Sequence, residues 1–379
     1  MKKFIKTHIP FLVMSLLLLL MIVFLIVLNV LKNDTQIAEQ WTRTFGRNYT
    51  RIMSEINKSF PFSLTEFINI GAIFFGVIWL GWGFSLLGNG KVWPFLNRVM
   101  MIVLMIVGSV TMHYASIGMA YTRAPLPIEG YTGEIKKEDF KQIATYFVED
   151  YNHCIQELGI DEKGEIKMPY SKEDLVAKVR LEFNKLNNDY FSKTVAHPKE
   201  LVTSGLYTTV GIVGMYYGVL GEANYSSYCT NAELPFTIAH ELCHSVGVLR
   251  EDDAQFVAFY LLSTSDDPLL RYAAYYETFG SILSITSLTG VETDYQEVSA
   301  LICDEIRLNY KYIYNHWKGK MFLADLGDKI NDWYLKTFGQ EKGTISYTDT
   351  KPVIDEHETV ISLSNYQRIY FKIYYDNHI

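Results

Sequence analysis

Three long runs without a fixed charge fall within the first 121 residues of this 379-residue chain, and they constrain its fold more than any other feature. Ile9 to Leu31 is wholly uncharged. At about 1.5 Å of helical rise per residue it is long enough to cross the roughly 30 Å hydrocarbon core of a bilayer. Phe67 to Leu87 is a second such run, with Trp79, Trp82 and several glycines, and Val99 to Tyr121 is a third, uncharged unless His113 is protonated. Hydrocarbon offers no partner to a backbone N–H or C=O, so a spanning segment must satisfy its own, which a helix does. One run alone could be a buried core helix; three in succession favour spanning. Gly71, Gly76 and Gly108 let the helices approach closely. A cleaved signal peptide would have a shorter apolar stretch ending in a small-residue cleavage site, and neither is evident after Leu31. Residues 1–122 are therefore read as a membrane region, with spans at about 9–31, 67–87 and 99–121, and the lipid bilayer as a partner.

Lys2, Lys3 and Lys6 precede the first span and favour a cytoplasmic N-terminus. Three spans then place the rest of the chain outside the cytoplasm, as an extracellular domain of a multi-pass cell-membrane protein. The loops are divided: Lys91 and Arg98 would lie inside, whereas Lys32, Arg43, Arg47, Arg51 and Lys58 would lie outside. The 32–66 segment suits an amphipathic element on the membrane surface, its basic side chains near headgroups.

Residues 123–379 suffice for one domain with a sizeable core. The whole chain carries a formal charge of −8 and shows no basic tract, which argues against a nucleic-acid partner. Ala124-Pro125-Leu126-Pro127 reads as a short rigid linker. Asp139 to Leu158 and Lys172 to Asn188 have helical periodicity; Thr208 to Leu220, rich in Val, Ile, Thr and Tyr, reads as one or two strands. Helical patterns resume from Leu269 to about Trp333. Nothing here indicates an oligomeric state.

The chemistry is concentrated in His240-Glu241-Leu242-Cys243-His244. Histidines four apart share one helix face, so both rings reach one metal ion, while the glutamate between them is placed to accept a proton from a metal-bound water. Pro235 suits a first helical turn, and Phe236, Ile238, Ala239, Leu242 and Cys243 supply an apolar back. Two incidental surface histidines are the plainer alternative. A catalytic zinc needs a third protein ligand. On an unbroken helix Glu251 would lie about 10 Å along the axis from His244, too far to share an ion. Gly247 can end the helix and turn the chain back, so that a carboxylate in the first turn of a second helix faces the histidines. Glu251 is favoured over Asp252 and Asp253, against the alternative of an ordinary acidic first turn. A third histidine six residues after the second would be another zincin arrangement, but Arg250 holds that position and a guanidinium cannot ligate zinc.

The run His-Glu-Leu-Cys-His-Ser-Val-Gly-Val-Leu-Arg-Glu-Asp-Asp-Ala-Gln-Phe-Val-Ala starting at His240 resembles a bacterial membrane family of zinc peptidases of the gluzincin kind, catalogued as domain of unknown function 3810. Phe60-Pro61-Phe62-Ser63-Leu64-Thr65-Glu66, Tyr121-Thr122-Arg123 and Asn331 to Tyr347 fit as well, so the likeness covers most of the chain. Asp253, Gln255 and Cys243 depart from the usual pattern. The resemblance implies an α+β chain: three transmembrane helices, then a mainly helical zincin-like (gluzincin) domain over 123–379 with a small antiparallel sheet. It implies Zn2+ held by His240, His244 and Glu251, with Gln255 behind them.

Cys154, Cys229, Cys243 and Cys303 have no zinc-knuckle spacing; outside the cytoplasm one or two disulfides could form, and Cys243 is expected to face the core. Met215 to Tyr225 could supply an edge strand that pairs with an extended peptide, or a plain core strand and turn. For a group stabilising the oxyanion the candidates are Tyr272, Tyr275, Tyr276 and His316, with Tyr272 preferred. The expected activity is hydrolysis of a peptide or protein substrate, with Glu241 as general base. The other reading is a catalytically silent membrane sensor or scaffold with an inherited metal site, which the intact Glu241 disfavours.

Overall fold

A computed structural model describes residues 2–133, 136–137, 139–338, 340, 353–354 and 360–378. The described chain is mostly helical and divides into two compact units: residues 1–125 with 217–222, and residues 126–216 with 223–379.

In the first unit the apolar runs form α1 (Lys2–Leu31), α4 (Leu64–Gly88) and α5 (Val92–Ser116), each long and apolar enough to cross a membrane. Leu12, Phe67 and Ile78 stand 62%, 68% and 70% exposed on these helices, and Leu16, Ile73 and Val77 are exposed beside them. Apolar surface on that scale is stable only where hydrocarbon is the solvent. The third span lies several residues earlier than the 99–121 expected from the sequence, because Arg98 does not bound it. The Arg98 guanidinium lies over the rings of Trp82 (4.1 Å) and Trp79 (4.8 Å) and donates to the Pro94 carbonyl at 3.1 Å, which accommodates the charge on the helix. At the other end, residues Gly118–Thr122 tighten into a 3-10 turn.

The segment between the first two spans forms α2 (Thr35–Trp41) and α3 (Arg47–Asn57), joined by the π-turn Thr42–Gly46. Asp34 caps α2 by accepting from the Gln36 and Ile37 amides. Glu39 accepts a bidentate pair of bonds from Arg123, both 2.8 Å, and a third from Arg43. Residues 217–222 join this unit through α3 and α4. Tyr49 donates to the Val219 carbonyl (2.9 Å) and Asn57 to that of Leu220 (3.2 Å). The Glu222 carboxylate closes the N-terminus of α4, accepting from the amides of Leu64 (3.1 Å) and Thr65 (2.7 Å) and from the hydroxyls of Thr65 and Ser63. Those amides are the unpaired donors that every helix start leaves, and an anion suits the positive end of the dipole.

The second unit is built on α6 (Asp139–Leu158), α7 (Lys172–Glu182), α8 (Ser204–Thr209), α9 (Leu234–Ser245), α10 (Glu251–Ser263), α11 (Pro268–Thr286), α12 (Asp294–Ala300), α13 (Asp304–Trp317), α14 (Ala324–Thr337) and α15 (Asn365–His378). On α6, Phe140, Ile143, Ala144, Phe147, Val148 and Tyr151 form the apolar stripe of a 3.6-residue period and are buried against α11. The last helix returns to this core. Phe371 packs edge-on to Phe140, Tyr370 lies against Phe147 and Phe259, and the Tyr370 hydroxyl shares a hydrogen bond with Thr278.

The sheet is small, as expected, but it is not purely antiparallel. Strands β1 (Lys199–Leu201), β2 (Gly214–Tyr217) and β3 (Glu222–Ser226) lie in the order β1-β3-β2, and β1 runs parallel to β3 in the register Lys199↔Asn224, Glu200↔Tyr225, Leu201↔Ser226. A parallel pair needs a crossover, which α8 and β2 provide. Of the 208–220 stretch read as strand, only Gly214–Tyr217 is extended; Thr208 and Thr209 close α8. An antiparallel pair, β4 (Val353–Ile354) with β5 (Val360–Ser362), precedes α15. Of the Asn331 to Tyr347 segment, residues 339 and 341–347 lie outside the described residues.

Candidate metal centre

The site begins with α9. Pro235 occupies its first turn, and the preceding turn is held by Glu233, which accepts from the Thr230 amide (3.1 Å) and hydroxyl (2.6 Å) and from the Trp317 indole (2.8 Å). Leu242 and Cys243 are fully buried, which fixes the helix's rotation and turns His240 and His244 to the other side. Gly247, at φ +96°, ends the helix in the left-handed region, and the Val248 amide bonds back to the Cys243 carbonyl at 3.1 Å. That turn also aims the Val248 carbonyl at Nδ1 of His244, 2.8 Å away. A carbonyl can only accept, so Nδ1 carries the proton and Nε2 keeps its lone pair for a ligand.

The chain then reverses into α10, whose first residue is Glu251. Its Oε2 lies 3.0 Å from His240 Nε2 and 3.7 Å from His244 Nε2, and one donor atom from each of the three residues falls within 4.8 Å of the others. Among the described residues this is the cluster of His, Cys, Asp and Glu groups arranged to hold a metal. Zinc with ligands at about 2.0–2.1 Å in a tetrahedron sets them roughly 3.3 Å apart, so the donor set fits Zn2+ after small adjustments. Asp252 and Asp253 turn instead to Arg250, at 3.0 and 3.4 Å. Arg250 thus occupies the two neighbouring carboxylates and leaves Glu251 to the histidines. Gln255, one turn further along α10, acts to raise the His240 imidazole.

Glu241 is buried beside this cluster, 6% exposed. Burial pushes its carboxyl up to about 8, with His240 acting to lower it and Glu251 to raise it. Burial acts to lower the His240 imidazole, but its bond to Glu251 and the charge there leave it raised; burial lowers His244.

Two residues near Glu241 and His244 were not singled out by sequence. Gly214 on β2 lies so close to Glu241 that a β-carbon there would stand 2.4 Å from Oε1 and 3.0 Å from Cδ and Cγ. A glycine inside a strand pattern marks close backbone approach, and that signal was present. Two residues on, the Tyr216 ring lies 6.1 Å from that of His244, tilted by 40°. Tyr216 falls in the Met215 to Tyr225 run read as a candidate edge strand, but nothing in sequence gives its side chain a role among 27 tyrosines.

The structure does not bring Tyr272 to the cluster. Its side chain is fully buried against Tyr151, and its hydroxyl donates to Asn309 at 2.9 Å. Tyr275 donates to Asp150, Tyr276 packs on Tyr310, and His316 Nε2 lies 2.8 Å from the Tyr228 carbonyl. Tyr272 and Tyr275 are thus turned into the core, while Tyr276 and His316 are only partly buried. All four cysteines are free, and Cys243 is buried as expected.

A family described as a protein of unknown function (DUF3810) matches residues 41–351, which take in the second and third candidate spans and the whole of the candidate metal centre. The chain belongs to that family. No curated protein and no solved structure matches it.

Proposed function

We propose, starting from that membership, that this chain is a membrane-anchored zinc-dependent peptidase of the gluzincin kind. His240, His244 and Glu251 would hold Zn2+, and Glu241 would be the general base. The observation that carries this reading is the convergence of three donor atoms, two from α9 and one from α10, beside the buried Glu241 carboxyl of α9. A structural metal site has no use for such a carboxyl.

Bound zinc would supply the Lewis acidity that polarises a scissile carbonyl and makes a water acidic near neutral pH. The chain's own groups do the rest. The Val248 carbonyl fixes the His244 tautomer, Glu241 takes the water's proton, and Glu241 then delivers it to the leaving amine. Strand β2 ends the sheet order, and its backbone would pair with an extended peptide whatever its sequence. This reading puts the protein in the cell membrane with residues after 122 outside, because three spans follow Lys2, Lys3 and Lys6. Protease added to intact spheroplasts should then digest that part; protection until lysis would reverse the topology.

The decisive variant is Glu241→Gln in the detergent-purified protein. Gln keeps the size and hydrogen bonding but cannot take the proton, so zinc should stay at about one per chain while cleavage of a peptide library falls by about a hundredfold to ten-thousandfold. Cleavage equal to the parent's would remove the hydrolase reading and leave a membrane sensor or scaffold.

A further inference from the structure

Hydrolysis of an amide places negative charge on the carbonyl oxygen in the transition state, and a site gains much of its rate from a donor already aimed at that position. The groups so far placed around the metal centre do not supply one. Glu251 accepts, and Glu241 must be unprotonated to serve as the base. His240 and His244 turn Nε2 toward Glu251, and Nδ1 of His244 is committed to the Val248 carbonyl.

Strand β2 brings a donor. Side chains two apart on a strand share a face, so Gly214 and Tyr216 look the same way. Gly214 abuts the Glu241 carboxylate and the Tyr216 ring lies against that of His244, so this face of the strand runs from the base to a ligand. The Tyr216 ring is half-buried, and among the described residues its hydroxyl makes no hydrogen bond. Tyr272, Tyr275 and Tyr312 instead donate to Asn309, Asp150 and Glu165. The Tyr216 hydroxyl is not among the buried polar atoms left without a partner, unlike that of Tyr151, so it stays open to solvent, where the oxygen of a bound substrate can take the place of water.

We infer that Tyr216 is a further catalytic residue, whose hydroxyl donates a hydrogen bond to the scissile carbonyl oxygen as that oxygen becomes negative. The inference rests on the peptidase reading. It replaces the helical tyrosines suggested by sequence with one on the strand that would also pair with the substrate. The group that orients the peptide backbone and the group that stabilises its carbonyl would then be neighbours on one element.

The test uses full-length, zinc-loaded protein in detergent, with a peptide chosen from the library and its phosphinic pseudopeptide, which mimics the tetrahedral state. Tyr216→Phe removes only the hydroxyl. Zinc content and Tm should be unchanged, KM should stay within about twofold, and kcat should fall about a hundredfold to a thousandfold, the usual loss for one such donor. Calorimetry gives a readout without turnover. The phosphinic probe should lose affinity by about a hundredfold, whereas the uncleaved peptide, measured with Glu241→Gln present in both proteins, should bind as before. If Tyr216→Phe keeps the parent's kcat and the parent's phosphinic affinity, the inference is overturned while the peptidase reading stands. Equal loss for probe and peptide would also overturn it, by making Tyr216 a structural support. A parent that carries zinc yet neither cleaves the library nor binds phosphinic peptides would overturn both.

Discussion

Replacing Gly214 by alanine tests the geometry of the site with a single methyl. The new β-carbon would stand 2.4 Å from Glu241 Oε1 and 3.0 Å from its Cδ and Cγ, where ordinary contact begins at 3.4 Å. The carboxylate must therefore retreat by about 1 Å, or the strand must move by as much. Glu241 is only 6% exposed, so it has little free space to retreat into. Overpacking of this kind costs about 1–3 kcal/mol of stability. The kinetic effect is larger in proportion, because displacing a reacting group by 1 Å costs roughly a hundredfold in rate. The three atoms nearest the methyl all belong to Glu241, and none to His240, His244 or Glu251, the residues that would hold the metal. We therefore expect Gly214→Ala to keep about one zinc per chain, to melt at a modestly lower temperature, and to cleave the library peptide about a hundredfold more slowly. The assay is kcat beside zinc content by mass spectrometry and a thermal melt. A Gly214→Ala protein with parental kcat and parental Tm would show that Glu241 is not confined by β2 or is not the base.

Two further outcomes follow from contacts elsewhere. Glu251→Ala should lose the zinc, whereas Asp252→Ala should largely keep it, because Asp252 pairs with Arg250 and not with the histidines; metal retained by Glu251→Ala would refute the ligand set. Glu222→Gln removes the charge that four donors at the start of α4 share, and should lower stability in detergent by about 1–3 kcal/mol; an unchanged melting temperature would show that α4 does not depend on this cap.

The sequence by itself determined what depends on residues close together along the chain. The uncharged runs carried α1, α4 and α5, because a spanning helix needs only length and apolarity. Two histidines four apart had to share a face of α9, and Gly247 had to be the residue that reversed the chain, because few others accept φ +96°. Those local rules reached as far as a carboxylate in the first turn of α10, with Glu251 preferred. The structure brings Glu251 to the histidines and pairs Asp252 and Asp253 with Arg250. Arg98 shows the same limit: its charge marked a boundary in sequence, but the rings of Trp79 and Trp82 carry it inside the helix. Tertiary structure alone buried Tyr272 against Asn309, set β1 parallel to β3, and laid Gly214 and Tyr216 beside Glu241 and His244. The reason is physical: helix period, capping and turns are fixed by energies acting over a few residues, whereas which face of β2 meets α9 depends on the joint packing of segments more than twenty residues apart, and no short pattern records it.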